Sequence, residues 1–383
     1  MSRPLTPLPT TPLPRHELIR SDGRRLFVYG DLLGSLPPEG PPANGGAPAA
    51  VHKRLDVFTD TWVVISPARN ARPLDRDSDE IESSAGCPFC PGGLEVPFPY
   101  EAAVFDNRFP PFRPDAPPPP QLEEPTSAAR GSAEIVLYTS RHDACFGDLS
   151  PAELGRVLAM WTDRARALWA DPANEYVAVF ENRGSTAGAT IAHPHGQIYA
   201  VDHVPPIIAT KSAAHLLRRA EAGDCLSCWS TQIDARSARV VAANASFVVA
   251  VPFAARWPYE ISVRALRHGL RRLSDLDDAE QLDLLRALSD VARRYDALFG
   301  MPLPYMMVAQ EAPRGQPDWH LAFEFFPLNR GPEKVKIRAS SETGLGLFLN
   351  DVAPEDAARQ LAGLHVASPS IGAGDLAVVV PGG

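Results

Sequence analysis

The chain has 383 residues, 45% of them hydrophobic and 22% charged, enough for one large domain or two ordinary ones with a full core. A formal net charge of -9 argues against a bulk nucleic-acid or acidic-membrane binder, and no stretch is long and apolar enough to span a bilayer. Cysteines at 87, 90, 145, 225 and 228, an odd set without a secretory apolar leader, argue against a disulfide framework and set the expectation of a cytoplasmic protein.

Residues 1–14 are Pro/Thr-rich with little to bury and are expected to form a disordered tail. Two short apolar runs around Ser21-Asp22-Gly23 predict a hairpin over 15–31. A Pro/Gly linker follows over 32–50, then two strands over 54–66 with a turn near Asp60. The turn 66–73 carries Arg69 and Arg72 and by composition alone is a solvated loop. Cys87-Pro88-Phe89-Cys90 comes next. The pair opens a Pro91-Gly92-Gly93 loop rather than a helix, which favours a metal over redox exchange.

Short strands are predicted over 104–109 and 134–139, the second closed by Arg141-His142. Ser150-Pro151-Ala152-Glu153 is a capping box with proline at the first helical position. The helix it starts has Leu154, Val157, Leu158, Trp161 and Leu168 on one face. Residues 176–181 are the next strand. A small-residue loop separates it from His193-Pro194-His195-Gly196-Gln197-Ile198-Tyr199, where alternation would set His193, His195 and Gln197 on one strand face.

The pattern then recurs. Residues 260–268 echo 134–142 position for position, Asp277 and Glu280 start another helix that Gly300 ends, and strands follow over 305–309 and 320–326. This is an internal duplication of strand, helix, strand, strand units, an α+β architecture, whose second copy of the motif has decayed to Ala322-Phe323-Glu324-Phe325-Phe326.

Cys87, Cys90, His142 and His193 are candidate zinc ligands. Two thiolates and two imidazoles would complete a tetrahedral set with no open position, which is a structural site. His195 lies outside that set. A neutral imidazole is a good nucleophile toward phosphorus and later a good leaving group, which suits nucleotidyl transfer in two displacements. The backbone between the two histidines can take the other ring N–H and fix the tautomer. Gln197 offers an uncharged donor to a phosphoryl oxygen, the loop from Gly184 to Gly188 lets backbone amides approach a phosphate, and Thr190 adds a hydroxyl. Cys225-Leu226-Ser227-Cys228 has only His215 as a near candidate partner and is expected to be a pair of ordinary thiols at a helix end, with Cys145 a core residue.

Phe180-Glu181-Asn182, the glycine loop and His193-Pro194-His195-Gly196-Gln197 together resemble the galactose-1-phosphate uridylyltransferase family of the histidine-triad superfamily, with a likeness running from about Arg15 to Leu361. The resemblance implies two histidine-triad-like halves, 15–203 with motif and zinc and 204–383 with the degenerate motif. It implies a largely antiparallel sheet, an open half-barrel, with helices packed on one side. It implies a uridylyltransferase working by ping-pong transfer of UMP from UDP-glucose through His195 to a hexose 1-phosphate, with Gln197 assisting. By that likeness His193 is a zinc ligand with Cys87, Cys90 and His142. Arg69 and Arg72 bind phosphate, Phe89, Phe105, Asn107 and Arg108 meet base and ribose, and Asn182, Gly188 and Thr190 meet phosphate. Lys336 and Glu342 would meet the hexose phosphate from the neighbouring subunit of a homodimer.

The chain also departs from the family. Some members bind a second, iron-type metal through one Glu and three His. Here those positions read Gln310, Ala322 and Glu324, with Lys211 near the fourth, so one zinc and no second metal is expected. Phe348 stands for a sugar-contacting glutamine and Arg108 for an acidic residue near the ribose. A related nucleotidyltransferase or phosphorylase using ADP-glucose or another sugar nucleotide is the alternative. A nucleotide-phosphate hydrolase ranks lower, since those enzymes tend to carry a third histidine where Gln197 stands. A non-catalytic zinc-braced binding protein ranks last.

Overall fold

The structure is a computed structural model that describes residues 10–32, 36–37, 39–42, 50–71, 84, 86–367 and 369–381. The hairpin of β1 (Thr11–Ile19) and β2 (Arg25–Tyr29) turns at Asp22-Gly23, as its sequence predicts. Thr11 to Pro14 belong to β1 and are therefore strand rather than tail, because they pair with a strand from the far end of the chain. A small side sheet holds β3 (His52–Asp56), β4 (Thr61–Ile65) and, beyond β5 (Ala102–Asp106), β6 (Thr126–Ala128).

Then come β7 (Gly131–Leu137), α1 (Pro151–Trp169), β8 (Tyr176–Arg183) and β9 (His195–Val201). The second half opens with α2 (Pro206–Ala222) and α3 (Leu226–Asp234), and continues through β10 (Val240–Ala243), β11 (Phe247–Ala250) and β12 (Ile261–Ala265). Next are α4 (Asp278–Phe299), β13 (Tyr305–Gln310), β14 (Ala322–Pro327), the two-stranded ribbon of β15 (Asn329–Gly331) and β16 (Lys334–Val335), α5 (Ser340–Gly344), α6 (Pro354–Ala362) and β17 (Ala377–Pro381).

Among the described residues twelve strands form one open sheet in the order β10-β11-β12-β14-β13-β8-β9-β7-β5-β2-β1-β17. Every neighbouring pair is antiparallel except β1 with β17. The order reads the same outward from its middle: β8, β9, β7 on one side and β13, β14, β12 on the other. The duplication legible in the sequence is thus a pseudo-twofold of the sheet, with β8 and β13 at its seam. The register refines the echo by one residue: Ile135 faces Gln197, and its counterpart facing Glu324 is Ser262, not Ile261. β17 crosses the supposed boundary near residue 204 and edges the first half's strands.

Both long helices start as their capping boxes require, Ser150 accepting from Glu153 N and Asp277 from Glu280 N. In each half the arginine leaving the inner strand is clamped to the third helical residue, Arg141 to Glu153 at 2.9 Å and Arg267 to Glu280 at 2.6 Å. One sheet face is packed by α1, α4 and α6 through a core that includes Trp161, Leu285, Tyr295, Leu361 and Phe323. The opposite face differs between halves. Over the first half it is covered by the loop from Cys87 to Tyr100, through Phe89, Val96, Phe98 and Tyr100 against Leu26, Phe105, Ile135 and Leu137. Over the second half that face carries Arg264 and Glu324. These are met by Ser230 and Asp234 of α3 and by Lys211 of α2, so α2 and α3 lie across the sheet from α1 and α4.

Glu181 sits fully inside near the seam, accepting from the Tyr305 hydroxyl at 3.1 Å. Burial pushes its carboxyl up to about 7 against the pull of Arg183. A raised carboxyl favours the fold while protonated, and that contribution is lost as pH rises through about 7. Glu181→Gln keeps an acceptor for Tyr305 and buries no charge. Urea unfolding should show wild type losing about 2 kcal/mol more than the variant between pH 5 and pH 8; parallel pH dependences would refute ionisation in the core.

Candidate functional site

The motif strand lies between β7 and β8, so its backbone is fixed on both sides. Regular strand begins at His195, not His193, yet Tyr138 N still donates to Pro194 O and carries the ladder one step further. Gly196 is required by close approach: a Cβ there would stand 2.2 Å from the Tyr138 hydroxyl. His193 is buried and His195 and Gln197 are half-buried.

His195 Nδ1 lies 2.8 Å from the carbonyl oxygen of His193. An N–H donated there leaves Nε2 as the basic nitrogen of the neutral ring. Phe89 packs edge-on against the imidazole, ring centroids 5.1 Å apart. His195 and Gln197 line a cavity of about 90 Å³ together with Phe89, Phe105, Asn107, Arg108 and Thr190. Seven residues expected to act together are thus brought together. Pro88, Leu94, Glu95, Phe109, Ile135 and Ile191 complete the walls. Sequence reasoning missed them; Ile135 could have been found from strand pairing, since it faces Gln197. A second cavity of about 460 Å³ shares Asn107 and Arg108 with the first.

The remaining expected residues are placed as follows. Arg69 stands on a short 3-10 turn, Pro67–Ala71, and its guanidinium donates to Phe109 O at 3.5 Å, at the rim of the smaller cavity. Arg72 lies outside the described residues. Asn182 is on β8, and its amide nitrogen lies 3.9 Å from where a Cβ of Gly188 would be, so the amide and the glycine loop adjoin. Lys336 and Glu342 do not reach this cavity within the chain. They are buried and bonded to each other at 2.8 Å, and the Lys336 ammonium also donates to the carbonyls of Arg256 and Leu349. Phe348 is flanked by the guanidinium groups of Arg256 and Arg338, 5.5 and 5.1 Å from its ring centre.

Cys87, Cys90, His142 and His193 form one cluster whose ligand atoms all lie within 4.8 Å of one another. Cys90 Sγ is 3.5 Å from His142 Nδ1 and 3.6 Å from His193 Nδ1. Sulfur and nitrogen ligands of a tetrahedral zinc stand about 3.5 Å apart, so the donor set fits that ion. His193 turns Nε2 toward Thr139 O at 2.9 Å, which fixes Nδ1 toward the cluster. Burial lowers the His193 imidazole to about 4, so it is neutral, as a ligand must be. Burial and the neighbouring Cys87 push the Cys90 thiol up to about 11.

The second C-x-x-C overturns its expectation. Cys225 and Cys228 are not isolated helix-end thiols but form a second cluster of the same kind with His268 and His320. His215 stands aside, stacked on Trp319 at 4.9 Å. The partners were hidden because they come from residues 40 and 92 positions beyond Cys228. Two groups that could hold a metal ion are present among the described residues, where one had been expected. At the positions expected to depart from the family's second-metal set, Lys211 donates to Gln310 Oε1 at 3.1 Å and pairs with Glu324 at 2.5 Å.

Comparison with known proteins agrees with this geometry. Residues 46–205 match the galactose-1-phosphate uridyl transferase N-terminal domain, and residues 208–366 match the C-terminal domain. The galactose-1-phosphate uridylyltransferase of Thermotoga maritima is 36% identical over 319 residues, 80% of this chain and 96% of that protein. The Streptomyces lividans enzyme of the same name is 33% identical, covering 72% of this chain and 78% of that protein. A solved uridylyltransferase superposes with a TM-score of 0.73 at 30% identity, over 81% of this chain and 97% of that one. An ADP-glucose phosphorylase from Arabidopsis thaliana, solved with ADP-glucose, superposes at 0.63 and 26% identity, over 82% of this chain and 99% of that one. With a motif strand, glycine loop and Cys/His cluster in this arrangement, and relatives matched over more than three quarters of their length, the chain belongs to the galactose-1-phosphate uridylyltransferase family.

Proposed function

We propose that this protein is a galactose-1-phosphate uridylyltransferase. The observation that carries the reading is His195 Nδ1 seated 2.8 Å from His193 O while the ring lines a cavity. In the first step the Nε2 lone pair attacks the α-phosphorus of UDP-glucose. A P–N bond forms, the bond from phosphorus to the bridging oxygen breaks, and glucose 1-phosphate leaves with that electron pair. In the second, a phosphate oxygen of galactose 1-phosphate attacks the same phosphorus. The P–N bond breaks and its electrons return to Nε2, giving UDP-galactose. Gln197, Asn182, Thr190 and the backbone at Gly188 suit oxygens whose charge builds during each displacement. Arg69 and Arg72 suit the phosphates. Phe89 and Phe105 offer faces to the base, and Asn107 with Arg108 suits the ribose end.

One zinc held by Cys87, Cys90, His142 and His193 would brace the loop from Cys87 to Tyr100 against the motif strand. It supplies architecture, with all its positions taken by protein. A homodimer is supported by the exposed Ile337, Leu345, Leu347 and Leu349 on the segment that carries Lys336 and Glu342. A second copy covering that segment would bring the Lys336–Glu342 pair toward a sugar phosphate. Five cysteines, none in a disulfide, suit a reducing cytoplasm. Arg108, replacing an acidic residue of relatives, and the likeness to an ADP-glucose phosphorylase support ADP-glucose as the competing donor.

Intact-mass measurement after incubation with UDP-glucose should show one uridylyl adduct per chain. An adenylyl adduct formed only from ADP-glucose would assign the competing donor, and hydrolysis without an adduct would overturn transfer. His195→Gly should abolish the adduct and keep its zinc. Gln197→Ala should slow adduct formation by roughly a hundredfold, the usual cost of one lost transition-state donor, with zinc unchanged; an unchanged rate would remove Gln197 from the chemistry.

A further inference from the structure

The second Cys/His cluster is larger in consequence than a correction to one expectation. We infer that Cys225, Cys228, His268 and His320 form a second structural zinc site, one that braces the C-terminal half and takes no part in the transfer.

Four observations support it. First, the spacing is that of a metal site. Cys228 Sγ is 3.4 Å from His268 Nδ1 and 3.3 Å from His320 Nε2, and the four ligand atoms lie within 4.8 Å of one another. This is the same separation that a tetrahedral set of two sulfurs and two imidazoles requires, about 3.5 Å. Two thiolates with two imidazoles select zinc or a similarly soft ion over magnesium or calcium.

Second, the ligand orientation is fixed from outside the cluster. His320 Nδ1 lies 2.8 Å from Ala265 O, so its N–H is held there and Nε2 turns to the sulfurs. The first cluster does the same with the opposite nitrogens, His193 Nε2 facing Thr139 O. Each support is a carbonyl just past or at the end of the inner strand, β7 in one half and β12 in the other.

Third, the two sites are related by the pseudo-twofold of the sheet. His193 precedes β9 by two residues and His320 precedes β14 by two; His142 and His268 both follow the inner strand. The Cys pairs come from unlike elements, a loop in the first half and the start of α3 in the second.

Fourth, the site lies where α3 meets the sheet, beside polar contacts that hold the same parts together. Cys225 caps α3, and the clasp would hold α2 and α3 against the sheet face that carries Arg264 and Glu324. Nearby, Arg219 of α2 grips Asp318, two residues before His320, at 2.5 and 2.7 Å.

The separation from catalysis follows from what comes after each buried histidine. Two residues past His193 stands His195, at the cavity. Two residues past His320 stands Ala322, and the position matching Gln197 is Glu324, paired with the Lys211 ammonium. The second half retains a metal clasp with neither nucleophile nor amide beside it.

Elemental analysis of the purified protein should find two zinc ions per chain. Joint replacement Cys225→Ser with Cys228→Ser should leave one, and Cys87→Ser with Cys90→Ser should leave the other. The uridylyl adduct on His195 is read separately and should form in the first double variant within about twofold of the wild-type rate. Should that variant fail to fold, His268→Ala removes only the exposed ligand. Chelator challenge should then strip one zinc at least tenfold faster than from wild type, the other at the wild-type rate. One zinc per chain in wild type, lost with Cys87 and Cys90 and untouched by His268→Ala, would overturn the proposal. Two zinc ions with no adduct would leave the second site standing and remove the transferase reading instead.

Discussion

A single hydrogen bond, from His195 Nδ1 to the carbonyl of the histidine two residues earlier, is the constraint on which the rest of the site depends. It decides which ring nitrogen bears the proton and which keeps its lone pair. It can form only because the segment from 193 to 195 is held before regular strand begins. Tyr138 N bonds to Pro194 O on one side, and His193 is turned by Thr139 O and by the cluster on the other. Gly196 then lets the Tyr138 hydroxyl pass within a distance no side chain would tolerate. The geometry of one imidazole is thus set by a strand, a tyrosine and a Cys/His cluster together.

Much of this was legible in the sequence because it is local. Capping boxes at Ser150 and Asp277, the turn at Asp22-Gly23 and the period of α1 each involve residues within a few positions of one another. The five motif residues and the glycine loop were legible for the same reason. The duplication was legible as an echo, since residues 134–142 and 260–268 repeat a pattern of apolar and charged residues. Its register was not, because pairing is set by the partner strand: the structure matches Ile135 with Ser262 across the pseudo-twofold.

What escaped was non-local. Cys225 and Cys228 looked solitary because His268 and His320 reach them only through the sheet. α2 and α3 were not foreseen, because what places them is a pattern spread over several strands. Ser262, Arg264 and Glu324 make one sheet face of the second half polar, and that face takes its own helices, which answer it with Lys211, Ser230 and Asp234. The pairing of β17 with β1 joins the two ends of the chain, and no local pattern announces it. The ion pair between Lys336 and Glu342 inside one chain was likewise not legible, since it forms only when the turn at α5 brings the two together.

The seam between the halves carries a mechanical consequence. β8 and β13 are joined in register from Arg183–Tyr305 to Phe180–Val308, so the repeats are one continuous sheet rather than two bodies on a linker. Such a sheet has no hinge axis through its middle; bending there would break ladder bonds and expose Glu181 and Tyr305. Any adjustment to a bound nucleotide therefore falls to the surrounding loops rather than to a hinge between the halves.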